Sequence, residues 1–274
     1  MIRLKSHRVD YKNNNTPILS HHEIDEFAHA VLEDYKPELL REPGKINYQH
    51  FLESYLGMQI AIHDLYYDDP EQPILAMTVF DDWWIKVFDR ENNCVKEVFI
   101  PARTVIIDAS LMVSEKEAVA LFSGMHEGGH ITMQWHVFTG KTLDGYAYDP
   151  DGDCEFSEEI FPYVCCRRDN IESTPTKKKV RTAEEWREYH ADYFAAAITM
   201  PNATFKPFVN RFLRENGYYR SSITLGRDEE LDILADDLLP DAISDTYGVS
   251  KRAARIKLRT SGFVYGNMKE TVID

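Results

Sequence analysis

Two different patterns of apolar residues divide the first part of the chain. Residues 21–35 carry apolar side chains at helical spacing, which predicts an amphipathic helix, and INYQHFLESYL predicts a second helix that ends at Gly57. Short apolar or alternating runs, rich in β-branched and aromatic residues, then occupy residues 58–108 and predict a small β-sheet. The apolar residues of the first helix are Ile24, Phe27, Ala28 and Val31.

Helical patterns return after the predicted sheet. Ser114-Glu-Lys-Glu117 has the sequence of a capping box, a pair of side chains that closes the start of a helix, and an apolar stretch follows it. Thr182-Ala-Glu-Glu185 offers a second capping box before WREYHADYFAAAITM, and the last third of the chain again predicts helices. Residues 139–181, which lie between these two helices, are expected to form an irregular loop. This order of elements predicts an α+β fold.

Composition and charge narrow the class of protein. Of the 274 residues, 43% are apolar, which is enough for a sizeable core. The 46 acidic and 31 basic side chains give a formal charge of −15, which disfavours nucleic acid as the main partner. The polar N-terminus does not resemble a secretory signal, and the longest apolar runs are too short to span a bilayer. Since the four cysteines lack paired spacing, we expect reduced thiols in a cytoplasmic protein without a membrane partner.

The stretch HEGGH contains the first candidate chemistry. Residues four apart lie about 40° apart on a helix, so His126 and His130 can point at one ion, the arrangement by which H-E-x-x-H binds zinc. Glu127 lies on the adjoining stripe, where it could take a proton from a water molecule beside the ion. Gly128 and Gly129 each cost about 1 kcal/mol in a helix relative to alanine, and close approach of a substrate or of another helix would explain them. The alternative is an ordinary helix with two incidental histidines.

A catalytic zinc ion usually has three protein ligands, and two residues compete for the third position. The spacing of His136 matches the third histidine of the metzincin motif, but that motif needs a glycine where this chain has Met133. If the helix continues, His136 lies about 120° round from His130 and about 9 Å further along the axis, too far to reach the same ion. The spacing therefore predicts that His136 is a surface or second-layer residue. A metzincin-like zinc hydrolase that uses His136 is the alternative.

Glu188 is the preferred candidate for the third ligand. It shares a helix stripe with Ala191, Asp192 and Ala195, and an acidic pair beside alanines is expected where that face packs closely against a second helix. Glu188 would give one carboxylate oxygen to the ion, while Asp192, one turn on, would accept the outer N–H of a ligand histidine. His190 points away from this stripe and is not expected to bind the ion. A solvated acidic face is the competing interpretation.

Together the two motifs resemble those of the ImmA/IrrE family of metallopeptidases. HEGGH followed by ExxADYFAAAITMP is similar to the family's HExxH helix and its later ExxANxFAxxLLMP-like segment, and the resemblance covers roughly residues 22–201. It implies a zincin fold in which His126, His130 and Glu188 bind one zinc ion. Glu127 would then be the catalytic base. The matching residues of the second segment are Glu188, Ala191, Asp192, Phe194, Ala195, Met200 and Pro201.

The resemblance also implies a function, that of an endopeptidase whose substrate binds as an added strand along an edge of the sheet. The implied substrate is a protein, often a helix-turn-helix repressor encoded nearby, whose cleavage derepresses genes of a mobile element or a stress response. The sequence does not indicate which strand forms that edge. Two features depart from the family's pattern: Asp192 stands where Asn is commoner, and 57 residues separate His130 from Glu188. The long connection bears on substrate preference rather than on the metal site.

We expect three parts along the chain. They are an N-terminal extension at residues 1–20, a zincin-like domain at residues 21–216 with residues 139–181 as its inserted loop, and a helical C-terminal region at residues 217–274. Residues 241–259 have a helix-turn-helix-like pattern with a basic second helix, so a non-enzymatic DNA-binding regulator is an alternative. The preferred interpretation is a packing element whose basic face pairs with the acidic residues 228–245, because the net charge would repel a duplex.

Overall fold

Helices and a small mixed sheet build an α+β fold, as the sequence predicts. A computed structural model describes residues 9–10, 16–139, 161–167 and 182–266 of the chain. The helices are α1 (His21–Tyr35), α2 (Tyr48–His50), α3 (Glu117–Thr139), α4 (Ala183–Thr199), α5 (Asn202–Glu215), α6 (Glu229–Ile233), α7 (Leu239–Tyr247) and α8 (Lys251–Thr260). The strands are β1 (Val9–Asp10), β2 (Thr16–Pro17), β3 (Gln59–His63), β4 (Ile74–Val79), β5 (Trp83–Asp89), β6 (Cys94–Ile100), β7 (Thr104–Asp108), β8 (Tyr163–Arg167), β9 (Ile223–Thr224) and β10 (Val264–Tyr265). Among the described residues, no helix has both the length and the apolar content needed to cross a lipid bilayer.

Side-chain caps fix the start of α4 but not that of α3. The Thr182 hydroxyl accepts the backbone N–H of Glu185, whose carboxylate accepts the N–H of Thr182, so this predicted capping box is confirmed. The capping box predicted at Ser114 is wrong. Val113 is the extended residue before the helix, and Ser114 already lies in a short 3-10 turn that leads into α3, where its side chain makes no cap.

The main sheet has four strands in the order β3-β7-β4-β8. β3 runs parallel to β7, whereas β4 runs antiparallel to both of its neighbours. All residues of β4 and β7 are buried, which fits their nearly continuous apolar sequences. β5 and β6 form a separate two-stranded hairpin, so the prediction of a single sheet over residues 58–108 is wrong in this respect.

β8 corrects the expectation that residues 139–181 form an irregular loop. Tyr163–Arg167 forms a strand that pairs antiparallel with β4. YVCCR lacks the alternation of apolar and polar residues by which a strand is recognised, and it pairs with the edge of β4 beside it. The other parts of the expected loop, residues 140–160 and 168–181, lie outside the described residues.

The sheet separates two clusters of buried side chains. Ala76 and Val105 face α3 and belong to the main core, together with Ile131 of α3 itself. Met77 and Ile106 face the β5–β6 hairpin and belong to the smaller core. α3 is buried along most of its length because it lies between the sheet and α4. A helix in this position can carry the site that the sequence places on it while remaining fixed on both sides.

The C-terminal region contains the predicted arrangement of helix, turn and helix. Gly248, with a φ of +74°, ends α7 in the left-handed conformation that glycine favours, and α8 follows. The basic helix α8 contacts the acidic residues that precede α7. The Arg255 guanidinium donates to the carbonyl oxygen of Asp236 at 2.7 Å and to Asp237 Oδ1 at 3.2 Å. These contacts are those expected of a packing element.

Candidate metal centre

Two glycines of α3 allow neighbouring elements to come close to it. A Cβ atom added at Gly129 would lie 2.9 Å from the Cα atom of Ala191 on α4, and one at Gly128 would lie 2.9 Å from Cε1 of Phe51. The approach of another helix, which the glycine pair predicts, is therefore confirmed. It brings the HEGGH segment of α3 against the acidic stripe of α4.

Three side chains of these two helices converge. The Nε2 atoms of His126 and His130 are 2.9 Å apart. Glu188 Oε2 lies 3.4 Å from Nε2 of His126, and Glu188 Oε1 lies 3.5 Å from Nε2 of His130. Both rings are fully buried, whereas the Glu188 side chain is 25% exposed, so the cluster reaches solvent on the Glu188 side. The three residues predicted to bind an ion are therefore together.

The outer nitrogen of each ring meets an acceptor. His126 Nδ1 lies 2.9 Å from Asp192 Oδ1, the contact predicted for Asp192, and His130 Nδ1 lies 2.7 Å from Gln134 Oε1. The Gln134 amide nitrogen donates to the carbonyl oxygen of Arg187 at 2.9 Å. Since a carbonyl oxygen can only accept, the amide NH₂ must face Arg187 and Oε1 must face His130. Both Nδ1 atoms therefore carry a proton, and in the neutral rings both Nε2 atoms present lone pairs.

This arrangement of protons calls for a positive charge inside the cluster. Two nitrogen lone pairs 2.9 Å apart, beside a carboxylate, repel one another unless a cation or an additional proton lies between them. Two imidazole nitrogens and one carboxylate are a donor set that binds zinc in catalytic sites, where a fourth position stays open. The residues present therefore fit a divalent cation.

Glu127 is fully buried between α3 and the sheet. One of its carboxylate oxygens accepts a hydrogen bond from the Thr78 hydroxyl of β4, and the other accepts the backbone N–H of Cys166 of β8 at 3.1 Å. A carboxylate oxygen of Glu127, a nitrogen of His126 and the Cys166 sulfur lie within 4.8 Å of one another. Burial raises the pKa of Glu127 to about 7, although His126 and the Thr78 hydrogen bond lower it. Burial has the opposite effect on His130, whose pKa falls to about 4.

The histidines not expected to bind the ion lie apart from the three donors. α3 continues through Met133 as far as Thr139, so the glycine turn of the metzincin motif is not formed. The spacing predicts that His136 is a surface or second-layer residue. It is only 2% exposed, which excludes the surface position, and it is not among the three grouped donors. His190 is buried, and its Nε2 accepts the backbone N–H of Leu19 at 3.2 Å.

Sequence patterns miss three residues of the site. Gln134 orients His130, and its position one turn later on the same helix is a signal that the sequence does contain. Thr78 and Cys166, which hold Glu127, belong to strands distant in the sequence from HEGGH. Because the contact depends on how β4 and β8 pair, no local spacing could have shown it.

Comparison with protein-family models and with curated proteins found no match to this chain. The resemblance to the ImmA/IrrE family therefore rests on the sequence alone, and the activity stays a prediction. What the structure adds is proximity: His126, His130 and Glu188 come from two separate segments and form one group of possible metal ligands.

Proposed function

We propose that this chain is a zinc-dependent endopeptidase of the ImmA/IrrE type, with a zincin-like arrangement of sheet and helices. The observation that carries the proposal is the pair of histidine Nε2 atoms 2.9 Å apart, beside a carboxylate and with both outer nitrogens engaged. His126, His130 and Glu188 would hold the ion. When bound, zinc polarises a peptide carbonyl and lowers the pKa of water to about 7.

The chain's own residues have distinct tasks in this proposal. Asp192 and Gln134 hold the two imidazole rings in the orientation that binding requires. Glu127 takes a proton from the attacking water molecule and passes it to the leaving amine. The Thr78 hydroxyl orients the Glu127 carboxylate from the side of the sheet. These roles need α3, α4 and β4 to remain in their present packing.

The proposed substrate is a protein, and the family resemblance suggests a helix-turn-helix repressor. Its cleaved segment would be extended, because the main chain of a peptide can add to the edge of a sheet by backbone hydrogen bonds. Binding of DNA by residues 241–259 has less support. Arg255 of the basic helix is engaged by Asp236 and Asp237, and Lys257 is buried.

Elemental analysis tests the metal site. After removal of metal and reconstitution with zinc, we expect one zinc ion per chain in the unaltered protein, and loss of most of it in Glu188→Ala. His136→Ala is the control and should keep its zinc, since His136 is not among the three donors. A folded protein that never takes up a transition metal in a one-to-one amount would contradict the proposal. Loss of zinc in His136→Ala alone would instead favour the metzincin-like alternative.

Co-expression with a repressor encoded by a neighbouring gene tests the activity. Cleavage is expected with the unaltered chain and not with Glu127→Gln, which keeps the three ligands but removes the proton acceptor. Zinc content measured on the same preparations separates loss of metal from loss of the base. Cleavage at an unchanged rate by zinc-loaded Glu127→Gln would contradict the role of Glu127.

A further inference from the structure

β4 forms the part of the main sheet that borders the candidate metal centre, and β8 covers its edge. Thr78 of β4 donates to Glu127, so an extended chain paired with β4 necessarily passes beside this carboxylate. On its other side, β4 is paired with β7. The side of β4 that β8 occupies is therefore the one where a further strand could add.

β8 contacts Glu127 with its backbone. The pairing of β8 with β4 is regular as far as Cys166, which lies opposite Ala76, and it shifts register beyond that pair, between Ala76 and Ile74 of β4. At this last regular pair, the Cys166 N–H donates to Oε1 of Glu127 at 3.1 Å. A backbone group of β8 therefore contacts the proposed base directly, next to a bulge in β4.

The same contact conflicts with the proposed role of Glu127. A general base has to reach the water molecule whose proton it takes, within hydrogen-bond distance. With β8 present, both carboxylate oxygens of Glu127 are engaged by the protein and the side chain has no exposed surface. A substrate paired with β4 would need the position that Cys166 holds. The described structure thus has a covered site.

We propose that β8 is an inhibitory strand that occupies the edge of β4. An extended substrate segment would bind to this edge after β8 has left it. This inference rests on the proposed peptidase function and names the regulation of that same site. It requires a closed state with β8 on β4 and an open state in which the edge and Glu127 are accessible. For a peptide that binds only the open state, the apparent affinity equals the intrinsic affinity multiplied by the fraction of chains that are open.

The side chains of β8 also indicate what kind of segment could take its place. Cys166 is fully buried and Val164 is partly buried, and both pack in the main core on the α3 side of the sheet. Residues at alternate positions of a strand share one face. A replacing segment is therefore expected to carry small or medium-sized apolar side chains at two alternate positions.

A disulfide bond between the two strands tests the inference. The Phe80 N–H donates to the carbonyl oxygen of Pro162 at 2.7 Å, and the alternation of an antiparallel ladder then makes Met77 and Cys165 a pair without mutual hydrogen bonds. Cα atoms of such pairs lie about 4.5 Å apart, within the range that a disulfide spans. Met77→Cys should therefore form a disulfide with Cys165 under oxidising conditions. The matched control is Met77→Cys combined with Cys165→Ser, which has the same change at position 77 but cannot form the disulfide.

Alkylation of Cys166 with N-ethylmaleimide, followed by mass spectrometry, reports the opening of β8. Cys166 is buried while Cys94 is exposed, so Cys94 provides an internal reference for the reagent in each sample. We expect alkylation of Cys166 to be at least about tenfold slower in the oxidised Met77→Cys protein than in the control, because the disulfide prevents β8 from separating from β4. With zinc bound to both proteins, the oxidised Met77→Cys protein should also hydrolyse a mixture of internally quenched peptides more slowly than the control. The rate should recover when a reductant breaks the disulfide.

Two outcomes would overturn the inference. If Cys166 is alkylated at the same rate with the disulfide intact, its exposure does not come from β8 leaving β4, and the open state that the inference requires is contradicted. If the disulfide-bonded protein and the control hydrolyse the peptide mixture equally fast, the substrate binds elsewhere, for example on the outer edge of β8. Absence of hydrolysis in both proteins, with zinc bound in both, would count against the peptidase function itself, whereas the alkylation rates would still decide whether β8 opens.

Discussion

A Cβ atom at Gly129 would lie 2.9 Å from the Cα atom of Ala191, so α3 and α4 cross with backbone against backbone at the candidate metal centre. Gly129→Ala removes the entropic cost of a helical glycine, about 1 kcal/mol, but adds a methyl group that the Ala191 backbone cannot avoid. We expect a net loss of about 1–2 kcal/mol in the free energy of unfolding, measured with urea. Zinc affinity should fall as well, because the two helices that carry the ligands must separate.

Gly128→Ala is the matched comparison on the same helix. Its added methyl group would meet the end of the buried Phe51 side chain, which can shift more readily than a backbone atom. A smaller loss of stability and an almost unchanged zinc affinity are expected. Equal effects of the two substitutions would show that the close crossing at Gly129 does not determine the geometry of the site.

The sequence predicts best those features that depend on contacts between residues close together in the chain. Thr182 and Glu185 form their capping box because both side chains lie within one turn of the backbone groups they bond. The same pattern fails at Ser114, where the extended residue is Val113 and the chain enters α3 through a 3-10 turn. The spacing of residue types does not determine the backbone conformation of the residue that precedes a helix.

Strands depend more on their neighbours, and this limits what can be predicted. β8 has no pattern of its own and forms because the edge of β4 accepts it. The separation of the β5–β6 hairpin from the main sheet likewise depends on long-range pairing. For the candidate metal centre, the two motifs contain the possible ligands at suitable spacing, so the proximity of His126, His130 and Glu188 could be predicted. The partners of Glu127 could not, since they come from β4 and β8.

Asp192→Ala should weaken zinc binding without removing a ligand. Asp192 Oδ1 lies 2.9 Å from Nδ1 of His126 and fixes the ring with its other nitrogen toward the donors. Loss of such a partner typically lowers metal affinity by about 10–100-fold. Competition with a chelator of known affinity measures the change. Asp192→Asn keeps an acceptor oxygen and should lose much less, so equal losses in the two variants would contradict an orienting role.

Gln134→Met should affect the other ring. The substitution keeps the length of the side chain but removes the acceptor for His130 Nδ1 and the donor for the Arg187 carbonyl oxygen. Zinc affinity should again fall by about 10–100-fold. A nitrogen-detected NMR spectrum of labelled histidine in the metal-free protein gives a second readout. We expect the proton of His130 to stay on Nδ1 in the unaltered chain and to distribute over both nitrogens in the variant. An unchanged spectrum would show that Gln134 does not select the tautomer.

Lys257, on the inner face of α8, should reduce the stability of the protein at neutral pH. It is only 5% exposed, and its ammonium nitrogen lies 6.0 Å from the centre of the Tyr193 ring and 5.9 Å from that of Phe205. Burial lowers the pKa of Lys257 from 10.5 to about 8, although Asp25 raises it. Lys257→Met keeps the volume and removes the charge. We expect it to raise the free energy of unfolding at pH 7 by about 2 kcal/mol.

The pH dependence of this gain follows from the sign of the shift in the Lys257 pKa. Between pH 8 and 10.5 the unfolded chain binds a proton at Lys257 that the folded chain does not, so the unaltered protein gains stability as the pH rises through this window. The advantage of Lys257→Met is therefore full below pH 8 and disappears above 10.5. Urea unfolding of both proteins at pH 7, 9 and 10.5 measures it, with Lys251→Met, an exposed position on the same helix, as the control. A gain that does not shrink with rising pH would show that the packing of methionine, rather than the buried charge, is the cause.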